Sequence, residues 1–293
     1  MTHSIKNIAV VFYGQSRTYL ECAENIKTFF STKNPDINID FICTINAEVS
    51  FFNDRVYKNA GSVEVDINQV SENIKNLYNP VHMSTFSTYS IHIPNQHVYT
   101  AMLHAMSEKK KYEITNNKYY DLTIVCRYDI QFEVSGSETL NTAFDFLIDT
   151  INHHYSIART PTNNSTGYNL PFFSPNIFVL SFNNAAVPTN WFRPQDFFVN
   201  SVEDFAFIGT GCAIDILFSI IANIYYIPAK ILEPPRNIDD FKQDFFGSTL
   251  QCTHHDIARI LALEKVNVLS LRELLKDHGT YFDFKIVRPL LDE

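Results

Sequence analysis

Four polar segments of the sequence adjoin apolar runs, and the first of them suits the binding of a phosphate group. Gly14-Gln15-Ser16-Arg17-Thr18 follows directly on the apolar run 8–13. Backbone N–H groups at the start of a helix, with a guanidinium group beside them, can hold a diphosphate or a nucleotide. The segment has neither a G-x-G-x-x-G pattern nor a P-loop lysine. The alternative is therefore a plain strand-to-helix turn with Arg17 on the surface.

The second segment combines a guanidinium and a carboxylate at the end of another apolar run. Cys126-Arg127-Tyr128-Asp129 follows the run 122–125. A carboxylate at the mouth of a strand is well placed to bind a divalent cation, which in turn neutralises a diphosphate. Arg127 can share that task. The alternative is that Arg127 and Asp129 pair with each other across the strand end.

The third and fourth segments supply candidate proton acceptors and metal ligands. Glu203-Asp204 precedes the apolar run 205–208, where Asp204 can act as a general base or merely cap the strand. His254, His255 and Asp256 open a later helix. Either histidine is a candidate cation ligand, whereas Asp256 is a candidate acid that equally complements the helix dipole. The nearby Cys252 does not complete the spacing of a zinc motif.

Strands that alternate with helices must position these segments. Apolar runs and helical spacing predict strands at 8–13, 39–45, 122–126, 155–158, 177–181, 205–208, 266–269 and 282–287, and helices at 18–30, 68–77, 95–114, 138–151, 211–228, 253–263 and 271–277. This alternation predicts an α/β fold with a mostly parallel sheet covered on both faces. Ligands bind at the carboxyl ends of the strands in such sheets, which is where the first two segments fall.

Composition supports one folded unit over residues 1–293. Hydrophobic residues make up 45% of the chain and charged residues 19%, enough apolar material for a large core. The net charge of −9 disfavours nucleic-acid binding through a general positive field, because the basic cluster 109–111 is short. A few such local basic residues leave peripheral membrane association open.

Localisation is predicted from the N-terminus, the apolar runs and the cysteines. The first residues show no signal-peptide pattern, and the apolar run 213–228 is too short and too polar to span a bilayer. The five cysteines are scattered and odd in number, which suits a reducing compartment rather than a disulfide framework. We therefore expect a cytoplasmic protein without a transmembrane segment.

Taken together, the four segments resemble those of GT-A-fold glycosyltransferases that act in bacterial and large-virus surface-glycan synthesis. Their Gly-Gln-x-Arg-Thr turn is similar to residues 14–18, and a Tyr-Asp segment leading to Arg-x-Asp is similar to residues 120–129. Residues 204–209 are similar to an acidic pattern of the same family. Arg127 stands where most GT-A enzymes have the first aspartate of Asp-x-Asp.

This resemblance implies a GT-A fold and transfer of a sugar from a nucleotide-diphosphate sugar to a carbohydrate hydroxyl. It implies donor binding by the turn, and a manganese or magnesium ion on Asp129 with help from His254 or His255. Either Asp129 holds the ion almost alone, or Arg127 replaces the ion electrostatically. The implied roles are then as follows: donor-binding Gly14, Gln15, Arg17, Thr18, Arg127 and Asp129, and catalytic Asp204 and Asp256.

Two other functions stay open at this stage. One is a catalytically silent glycan-binding or nucleotide-binding protein of the same fold, which the altered Arg127-Tyr128-Asp129 segment allows. The other is a sugar nucleotidyltransferase. Such an enzyme usually grips a triphosphate with a glycine-rich, basic loop, and residues 14–18 are poor in both features.

Overall fold

The computed structural model describes most of the N-terminal half of the chain and shorter stretches beyond it. The described residues are 4–53, 58–86, 94–158, 176–179, 206–226, 267–270, 275 and 278–287. The strands within them are β1 (Asn7–Tyr13), β2 (Asn38–Asn46), β3 (Glu48–Asn53), β4 (Lys58–Glu64), β5 (His82–Phe86), β6 (Leu122–Arg127), β7 (Ile130–Gly136), β8 (Asn176–Val179), β9 (Ala206–Thr210), β10 (Asn267–Ser270) and β11 (Thr280–Ile286). The helices are α1 (Tyr19–Phe29), α2 (Ile67–Tyr78), α3 (Pro94–Asn116), α4 (Ala143–Ala158) and α5 (Gly211–Tyr226).

Seven strands form a central sheet that is parallel except for one strand. Their order is β10-β8-β9-β6-β1-β2-β5. β9 runs antiparallel to both of its neighbours, and every other adjacent pair is parallel. The predicted α/β fold with a mostly parallel sheet is therefore confirmed at this level.

The two central strands are buried on both faces, as their continuous apolar runs predict. Six of the seven residues of β1 are buried, and five of the six residues of β6. Alternate side chains point to opposite faces: Ile8, Val10 and Phe12 pack in a cluster with α1, α2 and α4. Ala9, Val11 and Tyr13 pack in a second cluster with α3 and α5. Helices thus cover the sheet on both sides.

The strand order reverses between β1 and β6. β2 and β5 lie on one side of β1, whereas β6 and β9 lie on the other. β1 and β6 are parallel and in register, with Phe12 opposite Cys126 and Tyr13 opposite Arg127. Their carboxyl ends therefore meet at a topological switch point, the place where open α/β sheets bind ligands.

A two-stranded antiparallel sheet lies beside this switch point. β7 begins one residue after Asp129 and pairs with β11 over its whole length, from Ile130 opposite Ile286 to Gly136 opposite Thr280. A ring cluster joins this sheet to α1, since Phe29 stacks on Phe132 at 4.0 Å between ring centroids. A second antiparallel pair, β3 and β4, follows β2.

Several predicted elements need correction. Residues 155–158 are the last turn of α4 rather than a strand, because the helical spacing of Phe144, Leu147, Ile148 and Ile151 continues the helix through a short apolar run. The same helix begins at Ala143, five residues later than predicted. β7 corresponds to no predicted strand, and no strands are predicted in the region of β3 and β4. The predicted loop 160–169 and the helix 253–263 lie outside the described residues.

Candidate functional site

The turn after β1 leads the chain from the sheet into α1. Gly14 has a φ of +91°, a conformation that a residue with a side chain rarely adopts. A Cβ atom on Gly14 would lie 3.9 Å from Cγ of Arg127, an ordinary contact, so the backbone angle rather than a lack of space favours glycine. Gln15 is half-buried in the same turn. The turn therefore lies against the end of β6.

A buried carboxylate joins two arginines at this point. Nε and Nη2 of Arg127 donate to the two carboxylate oxygens of Asp129, at 2.8 Å to Oδ1 and 2.5 Å to Oδ2. Nε of Arg17 donates to Oδ2 of the same carboxylate at 3.1 Å. The predicted pairing of Arg127 with Asp129 is therefore present, and Arg17 joins it from the turn 112 residues away in sequence.

The three charged side chains of this cluster are largely buried. The Asp129 side chain is 1% exposed, and those of Arg17 and Arg127 are 8% and 13% exposed. Burial by itself raises the pKa of Asp129, but the charges and hydrogen bonds of Arg127 and the charge of Arg17 outweigh it, so the pKa lies below its ordinary value of 3.8. The Asp129 carboxylate thus holds two guanidinium groups close together, and guanidinium groups are well suited to bind an anion.

The backbone of Val287, the residue that follows β11, is hydrogen-bonded to this cluster. The backbone N–H of Val287 donates to the backbone oxygen of Asp129 at 2.8 Å. The hydroxyl of Thr18 donates to the backbone oxygen of Val287 at 2.6 Å. Thr18 precedes α1, but its side chain makes no capping hydrogen bond to the helix. The hydroxyl of Thr18 thus donates to the residue that follows β11, and its role in donor binding stays a prediction.

Ser16 is a candidate ligand-binding residue that sequence analysis overlooked. It lies between Gln15 and Arg17 and is 3% exposed, and its hydroxyl has no hydrogen-bond partner among the described residues. A buried hydroxyl without a partner is costly unless something binds it. The sequence signal was a serine in the turn, which is too common in turns to stand out.

Tyr120 and Asp121, the first part of the resemblance around β6, lie at the other end of that strand. The carboxylate of Asp121 accepts from the backbone N–H groups of Lys6 and Asn7, at 2.9 Å each. The hydroxyl of Tyr120 donates to Asp40 at 2.7 Å. Both residues therefore hold the start of β6 against β1 and β2, and neither is near Asp129.

A cavity of about 320 Å³ lies at that same far edge, between α3 and α5. Its charged lining residues are paired with each other: Lys110 contacts Asp215 at 2.6 Å and Glu113 at 3.4 Å. Five residue steps of β6 separate this edge from Arg127, which is roughly 16 Å of strand. The cavity is distinct from the arginine cluster, and its ion pairs serve to pack α3 against α5.

The other candidate residues cannot be placed. Asp204, Asp256, His254 and His255 all lie outside the described residues, so their roles stay predictions. The described chain resumes at Ala206, which pairs with Cys126 at the end of β6.

The donor set around Asp129 fits a divalent cation poorly. Both carboxylate oxygens already accept hydrogen bonds from guanidinium groups, and a cation there would face two positive charges. Within the described ranges, no group of three histidine, cysteine, aspartate or glutamate side chains is arranged to hold a metal ion. A metal ion on Asp129 remains a prediction from the resemblance.

No protein-family model matches the chain, and no curated protein sequence matches it. Among the helices of the described residues, none is both long enough and apolar enough to cross a bilayer. The function must therefore be argued from the arginine cluster itself.

Proposed function

We propose that the protein is a glycosyltransferase that moves a sugar from a nucleotide-diphosphate sugar to a hydroxyl group of a carbohydrate acceptor. The observation that carries this proposal is the pair of guanidinium groups held by buried Asp129 at the switch point between β1 and β6. Guanidinium groups are the side chains best suited to phosphate oxygens. The GT-A fold is part of the proposal, which the mostly parallel sheet supports without distinguishing it from other α/β folds.

The chemistry assigns each group one task. Arg17 and Arg127 bind the diphosphate and stabilise the negative charge that develops on it when the bond from the sugar C1 to the phosphate oxygen breaks. The acceptor hydroxyl oxygen forms the new bond to C1 and loses its proton. In an inverting reaction that proton goes to a base, for which Asp204 is the candidate. Asp256 remains the second catalytic candidate.

The turn also favours transfer over nucleotide synthesis. A nucleotidyltransferase must hold a triphosphate, and the turn at residues 14–18 has a single basic residue and a single glycine. A silent binding protein of the same fold would keep the diphosphate site without the reaction. Measurable hydrolysis of a sugar nucleotide would favour the transferase over the silent binding protein.

The first test is the melting temperature of the full chain with UDP-, GDP-, dTDP- and CMP-sugars, each with manganese and with a chelator. A ligand that binds only the folded state adds about 2.7 kcal/mol to the free energy of unfolding when it is present at a hundred times its Kd. The melting temperature rises as a result. We expect the UDP-, GDP- or dTDP-sugars to raise the melting temperature selectively, whereas the CMP-sugars, which have no diphosphate, serve as the control. Release of the nucleoside diphosphate from that donor would then support the transferase over the silent protein.

Variants place the site. Arg127→Ala should abolish the selective rise in melting temperature, whereas Lys27→Ala, on the exposed side of α1, should leave it unchanged. A rise of equal size in Arg127→Ala would place the donor elsewhere. No rise with any of the four donors, in either metal condition, would reject the proposed function.

A further inference from the structure

The further inference concerns how the diphosphate is neutralised, and it rests on the proposed function. We propose that Asp129 is a positioning residue that holds Arg17 and Arg127 side by side, and that these two guanidinium groups bind the donor diphosphate without a divalent cation. Asp129 would then not be a metal ligand. Arg17 and Arg127 would then supply the positive charge that a metal ion would otherwise bring to the diphosphate.

The hydrogen bonds of Asp129 are the first support. A carboxylate has about four lone-pair sites, and guanidinium N–H groups fill three of them: one on Oδ1 and two on Oδ2. A metal ion that binds either oxygen would have to compete with these charge-assisted bonds. It would also lie beside two fixed positive charges, which repel it.

The rigid placement of both arginines is the second support. Arg127 is the last residue of β6, in the centre of the sheet, and its forked contact with Asp129 fixes the plane of its guanidinium group. Arg17 is fixed by the turn that Gly14 opens and by its bond to the same carboxylate. Groups held in place before the ligand arrives lose little freedom when they bind it.

The turn offers a further donor of the kind that a phosphate needs. The Ser16 hydroxyl is buried without a partner among the described residues, one position before Arg17. α1 begins at Tyr19, two residues after Arg17, and a helix N-terminus favours negative charge. These groups act in the same direction as the arginines and need no metal ion.

The test measures binding rather than turnover, on the full chain. The probes are UDP, GDP and dTDP, with CMP, which has no diphosphate, as the control; each is titrated calorimetrically in the presence of EDTA and, separately, in the presence of manganese. We expect one of the three nucleoside diphosphates to bind with a Kd that differs less than threefold between the two conditions. Manganese alone, followed by the loss of its free-ion paramagnetic resonance signal, should not bind at Asp129: the wild type and Asp129→Asn should give the same signal.

Variants distinguish positioning from metal ligation. Arg127→Lys keeps the charge but loses the fork, so it should weaken binding in EDTA at least tenfold, and Arg17→Lys should do the same. Asp129→Asn should weaken binding equally with and without manganese. Because Asp129→Asn leaves two buried arginines partly unbalanced, its fold is checked by circular dichroism, and the two lysine variants decide the matter if it fails to fold.

The outcomes separate this inference from the proposed function. Binding that requires manganese and is lost with Asp129→Asn would overturn the inference and keep the transferase. Binding in EDTA that survives both Arg17→Lys and Arg127→Lys would overturn it as well. Absence of binding by every nucleotide in both conditions would reject the proposed function itself.

Discussion

The carboxylate of Asp129 connects the turn after β1 to the end of β6. Arg127, two positions before Asp129, donates two hydrogen bonds to this carboxylate, and Arg17 in the turn donates a third. The register of β1 against β6 brings the turn to this point, because Tyr13 lies opposite Arg127.

His104 provides a prediction at the scale of one residue. Its Nε2 lies 3.1 Å from Oγ of Ser84 on β5, and burial lowers its pKa below the ordinary value of 6.5, although Glu108 acts in the opposite direction. The unfolded chain therefore binds this proton more readily than the folded chain. Its contribution to stability is complete above pH 6.5 and decreases as the pH falls below that value.

The measurement compares unfolding midpoints in urea at pH 7.5 and pH 5.5. We expect His104→Gln to lose less stability on acidification than the wild type does. His278→Gln, which changes an exposed histidine, should behave like the wild type. An unchanged pH dependence in His104→Gln would show that other groups account for it.

At the scale of elements, two glycines with positive φ angles lie where β7 ends and β11 begins. Gly136 and Gly279 both have positive φ angles, of 102° and 74°. A Cβ atom on Gly136 would lie 2.2 Å from the backbone oxygen of Gly279, whereas a Cβ atom on Gly279 would meet nothing within 4 Å. That same oxygen accepts from the N–H of Ser137 at 3.1 Å, so it cannot move away without breaking a bond.

Substitution of these glycines should therefore have unequal effects. Gly279→Ala should cost about 1–2 kcal/mol, the usual strain of a side chain in the left-handed region. Gly136→Ala adds a backbone clash and should cost roughly twice that or more. Urea unfolding of the two variants gives the comparison. Equal losses would mean that the junction adapts, and that the close approach to Gly279 is not a constraint.

At the scale of the whole molecule, periodicity predicted most of the central sheet, but it could not predict its order. Continuous apolar runs located β1, β2 and β6, since strands buried on both faces leave this signal. β7 carries a mixed pattern because one face, with Ile130 and Phe132, packs in the core while the other is more exposed, and no local signal pairs β7 with a strand about 150 positions away. The candidate site was predicted as two separate segments, and only the sheet order brings them together.

The hydroxyl of Thr18 links the N-terminal part of the described chain to its C-terminal part. Its bond to the backbone oxygen of Val287 spans 269 positions. Thr18→Val keeps the shape and removes the hydroxyl, leaving that oxygen without its donor, at a cost of about 1–3 kcal/mol. Thr18→Ser keeps the hydroxyl and is the matched control. If both variants unfold at the same urea concentration, the bond contributes nothing to stability.

The contact of Val287 with Thr18 and Asp129 has a consequence for the order in which the protein is made. A ribosome that adds roughly 5–20 residues per second needs about 13–54 s to pass from residue 18 to residue 287. During that time β1, α1 and β6 have left the exit tunnel, but β11 cannot yet support the turn and Asp129. A nascent chain stalled before Val287 should therefore lack the finished arginine cluster, and capture of nucleotides should begin only when synthesis has passed that residue.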